Sequence, residues 1–131
     1  MHPDWEVDMV RSLQGRAADL KAAYKQLPLS PAQKFVGVVA VKKKESGVDL
    51  FRALSLMFGQ TAAVYSFLRF SRALAALASK LLNMVIVEFF DDFTQLDPAQ
   101  LGDSGQESLQ ELFKLLGWQI SEGDKCLPFN E

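Results

Sequence analysis

The sequence predicts an α+β fold, an antiparallel sheet with two helices packed on one face, and three observations carry that prediction. Two stretches place apolar residues at three-and-four spacing, the signature of amphipathic helices. Several short runs are rich in β-branched and aromatic residues, the signature of strands. Turn signals of only a few residues join neighbouring strand runs, which favours antiparallel pairing, and the order of elements leaves the helices on one side of the sheet.

The first thirteen residues lack a clear period, with a short helical turn expected from Asp8 to Leu13. A strand is expected to end near Asp19, followed by a single helical turn carrying Tyr24. Pro28 and Pro31 rule out a long helix there. Lys34 to Lys42, built on Phe35-Val36-Gly37-Val38-Val39-Ala40-Val41, reads as a strand. Glu45-Ser46-Gly47 reads as a turn and Val48 to Leu56 as the returning strand. Lys42-Lys43-Lys44 at the tip is expected to be solvated or to protect the edge, with contact to a phosphate backbone as the alternative.

Phe58-Gly59-Gln60-Thr61 opens the long helix, with Val64, Phe67, Leu68, Ser71, Leu74, Ala75, Ala78, Leu81 and Leu82 on one stripe that reads as core. Tyr65, Arg69 and Arg72 line its other side. Leu82 to Phe90 is expected as a buried strand, and Phe93 to Leu96 pairs back with it. Ser104-Gly105-Gln106-Glu107 reads as a capping box opening a second helix. Leu109, Leu112, Phe113 and Leu116 would face inward, and Gly117 would stop the helix. Trp118 to Ser121 reads as a further strand, followed by the turn Glu122-Gly123-Asp124 and a closing strand, Lys125 to Phe129.

With 131 residues, the chain has room for one domain, 1–131, and one core. Its 49% hydrophobic and 23% charged residues are those of a globular chain. The formal net charge of -2 supplies no electrostatic case for strong nucleic-acid binding by this chain alone. A lone cysteine, Cys126, has no intramolecular partner, and the N-terminus carries no signal-peptide pattern, so an intracellular location, cytoplasmic or nuclear, is expected. The longest apolar stretch, Ala62 to Leu82, carries Arg69 and Arg72. Each Arg at a bilayer centre costs about 2.5–3.5 kcal/mol, so no membrane span is expected. No Gly-rich phosphate loop, zinc spacing or Ser/His/Asp set is present, and His2 is the only histidine.

The chemically pointed stretch is Phe89-Phe90-Asp91-Asp92-Phe93. Asp-Asp at the tip of a strand reads as a hairpin turn. Two carboxylates forced together repel unless a cation sits between them, and divalent ions with oxygen ligands are the usual answer. The alternative is an acidic surface turn.

Four stretches resemble the palm of reverse transcriptases from retroviruses and retrotransposons. Asp19-Leu20-Lys21-Ala22-Ala23-Tyr24-Lys25-Gln26-Leu27-Pro28-Leu29 looks like the first catalytic motif, and Phe58-Gly59-Gln60-Thr61 with the helix behind it looks like the second. Phe89-Phe90-Asp91-Asp92 looks like the aromatic-x-Asp-Asp motif, and Leu116-Gly117-Trp118 with Lys125 looks like the fourth. The match covers about residues 14–129. It implies a polymerase palm with the fingers mostly missing and the thumb absent, so that the isolated chain is expected to be inactive by itself. It implies two-metal nucleotidyl transfer of dNTPs to a primer 3′ end on an RNA or DNA template, with Mg²⁺ or Mn²⁺ held by Asp19, Asp91 and, in a supporting role, Asp92. By the same resemblance Tyr24 excludes a 2′ hydroxyl, Gly59 and Gln60 lie along template and incoming base, and Phe89 stands in the aromatic place where family members commonly have Tyr. Lys125 becomes the proton donor or charge stabiliser for pyrophosphate, or else an exposed lysine at a strand start. Missing fingers, thumb or other polymerase parts are the implied partners. Two alternatives stand beside this reading: a non-catalytic remnant acting as an interaction module, and the palm of another polymerase class.

Overall fold

The computed structural model of the chain describes residues 6–121. They form two compact units, one of residues up to 21 and from 68 onward, the other Ala22–Phe67.

In the first unit, a short helix α1 (Val7–Arg11) precedes β1 (Leu13–Asp19). The later part of helix α2 (Thr61–Leu82) is followed by β4 (Val85–Phe89), β5 (Asp92–Pro98) and helix α3 (Ser104–Leu115). The three strands form one antiparallel sheet in the order β1-β5-β4. Ala18 lies opposite Phe93 and Glu88 opposite Phe93, so Ala18, Phe93 and Glu88 share one face. On that face Phe113 of α3 meets Phe93 edge-on at 4.8 Å between ring centres. Both rings are buried, each contributing about 1.5–3 kcal/mol relative to an exposed side chain. Helix α2 reaches the same face, where Arg72 lies 3.9 Å from Glu88. The inward stripe is observed at Phe67, Ser71, Leu74, Ala75 and Ala78, while Leu81 and Leu82 at the end of the helix are exposed.

Several expectations are corrected. Among the described residues β4 has one neighbour, β5, and so lies at an edge with Val87 and Phe89 largely exposed; α2 continues to Leu82, and left-handed Asn83 (φ 52°) delays the strand to Val85. The capping box does not form. The N-cap is Asp103, with no side-chain cap, and the Ser104 hydroxyl donates to the Leu101 carbonyl. Leu116 is exposed because the helix has already ended at Leu115. Gly117 does stop it. At φ 84° it turns the chain, the Gly117 amide donating to the Lys114 carbonyl and the Trp118 amide to the Phe113 carbonyl, a Schellman closure. The residues that follow make a single bridge, Leu20 with Ile120, rather than a strand. The closing strand expected from Lys125 to Phe129 lies outside the described residues.

A buried polar layer lies under α3. Arg16, Gln95, Asp97 and Gln106 are all buried. Arg16 Nη1 pairs with Asp103 Oδ1 at 2.6 Å, the Gln95 amide donates to Asp97 Oδ2 at 2.8 Å, and the Gln106 amide donates to the Ala17 carbonyl at 3.3 Å. Among the described residues, Arg16 Nε, Gln95 Oε1 and Gln106 Oε1 have no hydrogen-bond partner. Burial pushes the Asp97 carboxyl above the usual range, against the pull of the Arg16 charge and the Gln95 hydrogen bond.

In the second unit, β2 (Val38–Lys42) and β3 (Val48–Arg52) form a separate two-stranded hairpin. Both strands are shorter than expected. Pro31–Gln33 winds into a 3₁₀ turn, with the Val36 amide donating to the Gln33 carbonyl, so β2 starts late. After Arg52 the chain pairs with a different partner: the Leu29 amide donates to the Leu54 carbonyl and the Leu56 amide to the Leu27 carbonyl. Gly37 is buried, and a Cβ there would stand 3.0 Å from the Ala53 Cβ, so its lack of a side chain permits this crossing. Val38, Leu50 and Phe51 are exposed. Lys43 at the tip pairs with Asp49 at 2.8 Å.

Candidate functional site

β1 and the β4–β5 hairpin bring Asp19, Asp91 and Asp92 to one end of the first unit's sheet. Register sets Asp19, the last residue of β1, opposite Asp92, the first of β5. Asp92 in turn lies opposite Phe89, so Phe90 and Asp91 form a two-residue turn. The Leu20 amide donates to the Asp91 carbonyl at 3.1 Å and ties the turn to the end of β1. Asp19, Asp92 and Phe89 share the face opposite the helices. Asp19 and Asp91 are half-buried and Asp92 is exposed.

The turn holds Phe90 at φ 57°, a left-handed conformation that costs a non-glycine residue of order 1–3 kcal/mol. Two contacts offset it. The Ser71 hydroxyl of α2, completely buried, donates a short hydrogen bond to the Phe90 carbonyl. The Phe90 ring packs edge-on against Phe89 at 4.8 Å. Asp19 is held separately: the Ser121 hydroxyl donates to its Oδ2 at 2.8 Å, and the Ser121 amide donates to its carbonyl at 2.8 Å.

Among the described residues, no three His, Cys, Asp or Glu side chains stand close enough together to hold a metal ion. The donor set is instead a facing pair, Asp19 and Asp92, with Asp91 at the adjoining turn. All are carboxylates, the hard oxygen donors that suit Mg²⁺ or Mn²⁺. Mg²⁺ commonly takes only one or two carboxylates and completes its shell with water and substrate phosphate, so this donor set fits such an ion.

The remaining candidates lie in the second unit or outside the described residues. Tyr24 sits in a 3₁₀ turn (Ala23–Gln26), its ring stacked on Phe67 at 4.7 Å and edge-on to Phe58 at 5.5 Å, with 8% of the residue exposed. Gly59 adopts φ 90°, and a Cβ there would meet nothing within 4 Å, so glycine is required by conformation and not by crowding. Gln60 starts α2: its carbonyl accepts from the Ala63 and Val64 amides, and its side-chain amide donates to the Val36 carbonyl at 3.3 Å. Lys125 lies outside the described residues.

Sequence reasoning missed Ser71 and Ser121 as residues that hold the acidic end. Ser71 had a signal, a hydroxyl on an otherwise apolar stripe. Ser121 had none, because its contact spans 102 residues of chain.

No family model and no curated protein matches the chain. No helix among the described residues is long and apolar enough to cross a membrane.

Proposed function

We propose that the chain carries the palm core of an RNA-directed DNA polymerase of the retrovirus and retrotransposon type. The observation that supports this most is the register that sets Asp19 opposite Asp92 with Asp91 at the adjoining turn, since the two motifs are 72 residues apart in sequence. In this reading Asp19 and Asp91 hold Mg²⁺ or Mn²⁺, and Asp92 supports them. The ions, when bound, stabilise the attacking and leaving oxygens of nucleotidyl transfer from a dNTP to a primer 3′ end.

The chain's own residues supply position. The Phe90–Asp91 turn is fixed by Ser71 and by the Leu20 amide, so the Asp91 backbone has little freedom. Tyr24, clamped between Phe58 and Phe67, has the rigidity a steric gate against a 2′ hydroxyl requires and would act through its small exposed portion. Gly59 and Gln60 are assigned to template and incoming base, Phe89 to the substrate side of the hairpin, and Lys125 to the pyrophosphate. Clamping primer and template falls to polymerase parts beyond these residues.

A second reading, a non-catalytic remnant acting as an interaction module, draws on the exposed apolar side chains of β2 and β3 and on Val87 and Phe89. Mg²⁺- or Mn²⁺-dependent primer extension on an RNA template decides between them, with an Asp91→Ala, Asp92→Ala double variant alongside. Extension by the unaltered chain alone supports the polymerase. Extension by neither, together with no affinity for Mg²⁺ or primer–template, supports the module.

A further inference from the structure

We propose that Ser121 is a positioning residue for the Asp19 carboxylate, a role that rests on the reading of Asp19 as a metal ligand. Three hydrogen bonds tie the two stretches together. The Lys21 amide donates to the Gln119 carbonyl at 3.0 Å, the Ser121 amide to the Asp19 carbonyl at 2.8 Å, and the Ser121 hydroxyl to Asp19 Oδ2 at 2.8 Å. The backbone pair, with the Leu20–Ile120 bridge between them, fixes where the hydroxyl stands before any ligand arrives. The hydroxyl then fixes the rotation of the carboxylate.

The cause lies in the chain path. Left-handed Gly117 closes α3 and sends Trp118 to Ser121 back alongside the end of β1. The Trp118 ring, 6.0 Å from Phe70 of α2, anchors that return. A hydroxyl bound to a ligating carboxylate sets its orientation, and loss of such an outer partner typically weakens metal affinity by about 10–100-fold. Ser121 acts through Asp19.

The test is Mn²⁺ binding to the full chain, followed by electron paramagnetic resonance without nucleotide or template, for the unaltered protein and for Ser121→Ala, Ser121→Thr and Asp19→Ala. Thermal unfolding of each variant in EDTA reports folding. The expected result is an Mn²⁺ Kd about tenfold or more weaker in Ser121→Ala, near-native in Ser121→Thr, which keeps the hydroxyl, and weakest in Asp19→Ala. If Ser121→Ala unfolds, Ser121→Cys, with a weaker donor, should show an intermediate Kd. Native affinity in Ser121→Ala or Ser121→Cys, with loss in Asp19→Ala, overturns the positioning role and leaves the metal reading standing. An Asp19→Ala variant that binds as the unaltered protein does, or an unaltered protein that binds no Mn²⁺, overturns both.

Discussion

The buried hydroxyl of Ser71 donates its hydrogen bond to the carbonyl of Phe90, the one residue of the Phe90–Asp91 turn held in left-handed backbone. Helix α2 therefore does two things at once: its apolar stripe builds the core, and a single polar side chain within that stripe fixes the turn before Asp91. Ser71→Ala would leave the Phe90 carbonyl short of its partner at a cost of about 1–3 kcal/mol. Chemical denaturation should show that loss, and amide exchange should rise at Asp91 and Asp92 more than in α3.

Asp19 and Asp92 face one another across β1 and β5. Asp92→Asn removes one of the two opposed carboxylate charges. Mg²⁺ should raise the Tm of the unaltered protein and raise that of the variant less, since a ligand that binds only the folded state stabilises it in proportion to its affinity. An equal Mg²⁺ response in both proteins would remove Asp92 from the site. Thermal unfolding with and without Mg²⁺ is the measurement.

Gly105 in the first turn of α3 lies against the Asp97 carboxylate, and a Cβ there would stand 2.3 Å from Asp97 Oδ2. Alanine is the better helix former by about 1 kcal/mol, so an open site would make Gly105→Ala stabilising. Here the carboxylate is buried and held by Gln95, and it cannot swing aside cheaply. Overpacking of this kind costs about 1–3 kcal/mol, and the expected net effect is destabilising in equilibrium unfolding.

Asp97 also sets a pH dependence. Burial raises its carboxyl pKa in the folded protein, with the Arg16 charge and the Gln95 hydrogen bond opposing that rise. Between the unfolded value and the raised folded value, the folded state holds the proton more often than the unfolded state does. Asp97 thus lowers stability above its folded pKa and stops doing so as pH falls below the unfolded value. Asp97→Asn removes this component, so the stability of the variant relative to the unaltered protein should be greatest at neutral pH and decline as pH falls through the folded pKa. Urea unfolding at stepped pH values checks it.

Ala22 is exposed and left-handed at φ 49°, ψ 42°. Glycine relieves about 1–2 kcal/mol of steric cost there but adds unfolded-state freedom worth about 0.5–1 kcal/mol. Ala22→Gly is expected to be modestly stabilising in thermal unfolding.

By itself the sequence determined the helices, the hairpins, the inward stripe of α2, the Gly117 stop and a turn at the acidic stretch, which the structure shifts by one residue to Phe90–Asp91 with Asp92 opening β5. Each is written within a few residues of its own position, as period, glycine or turn chemistry. Tertiary structure alone decided that β4 lies at an edge, that the sheet expected as one is two, and that Leu54 and Leu56 pair with Leu29 and Leu27 instead of extending β3. It alone set Asp19 opposite Asp92 and Ser121 on Asp19. These are choices of partner between segments tens of residues apart, settled by burial and backbone pairing over the whole chain, and no local pattern of residues encodes that competition.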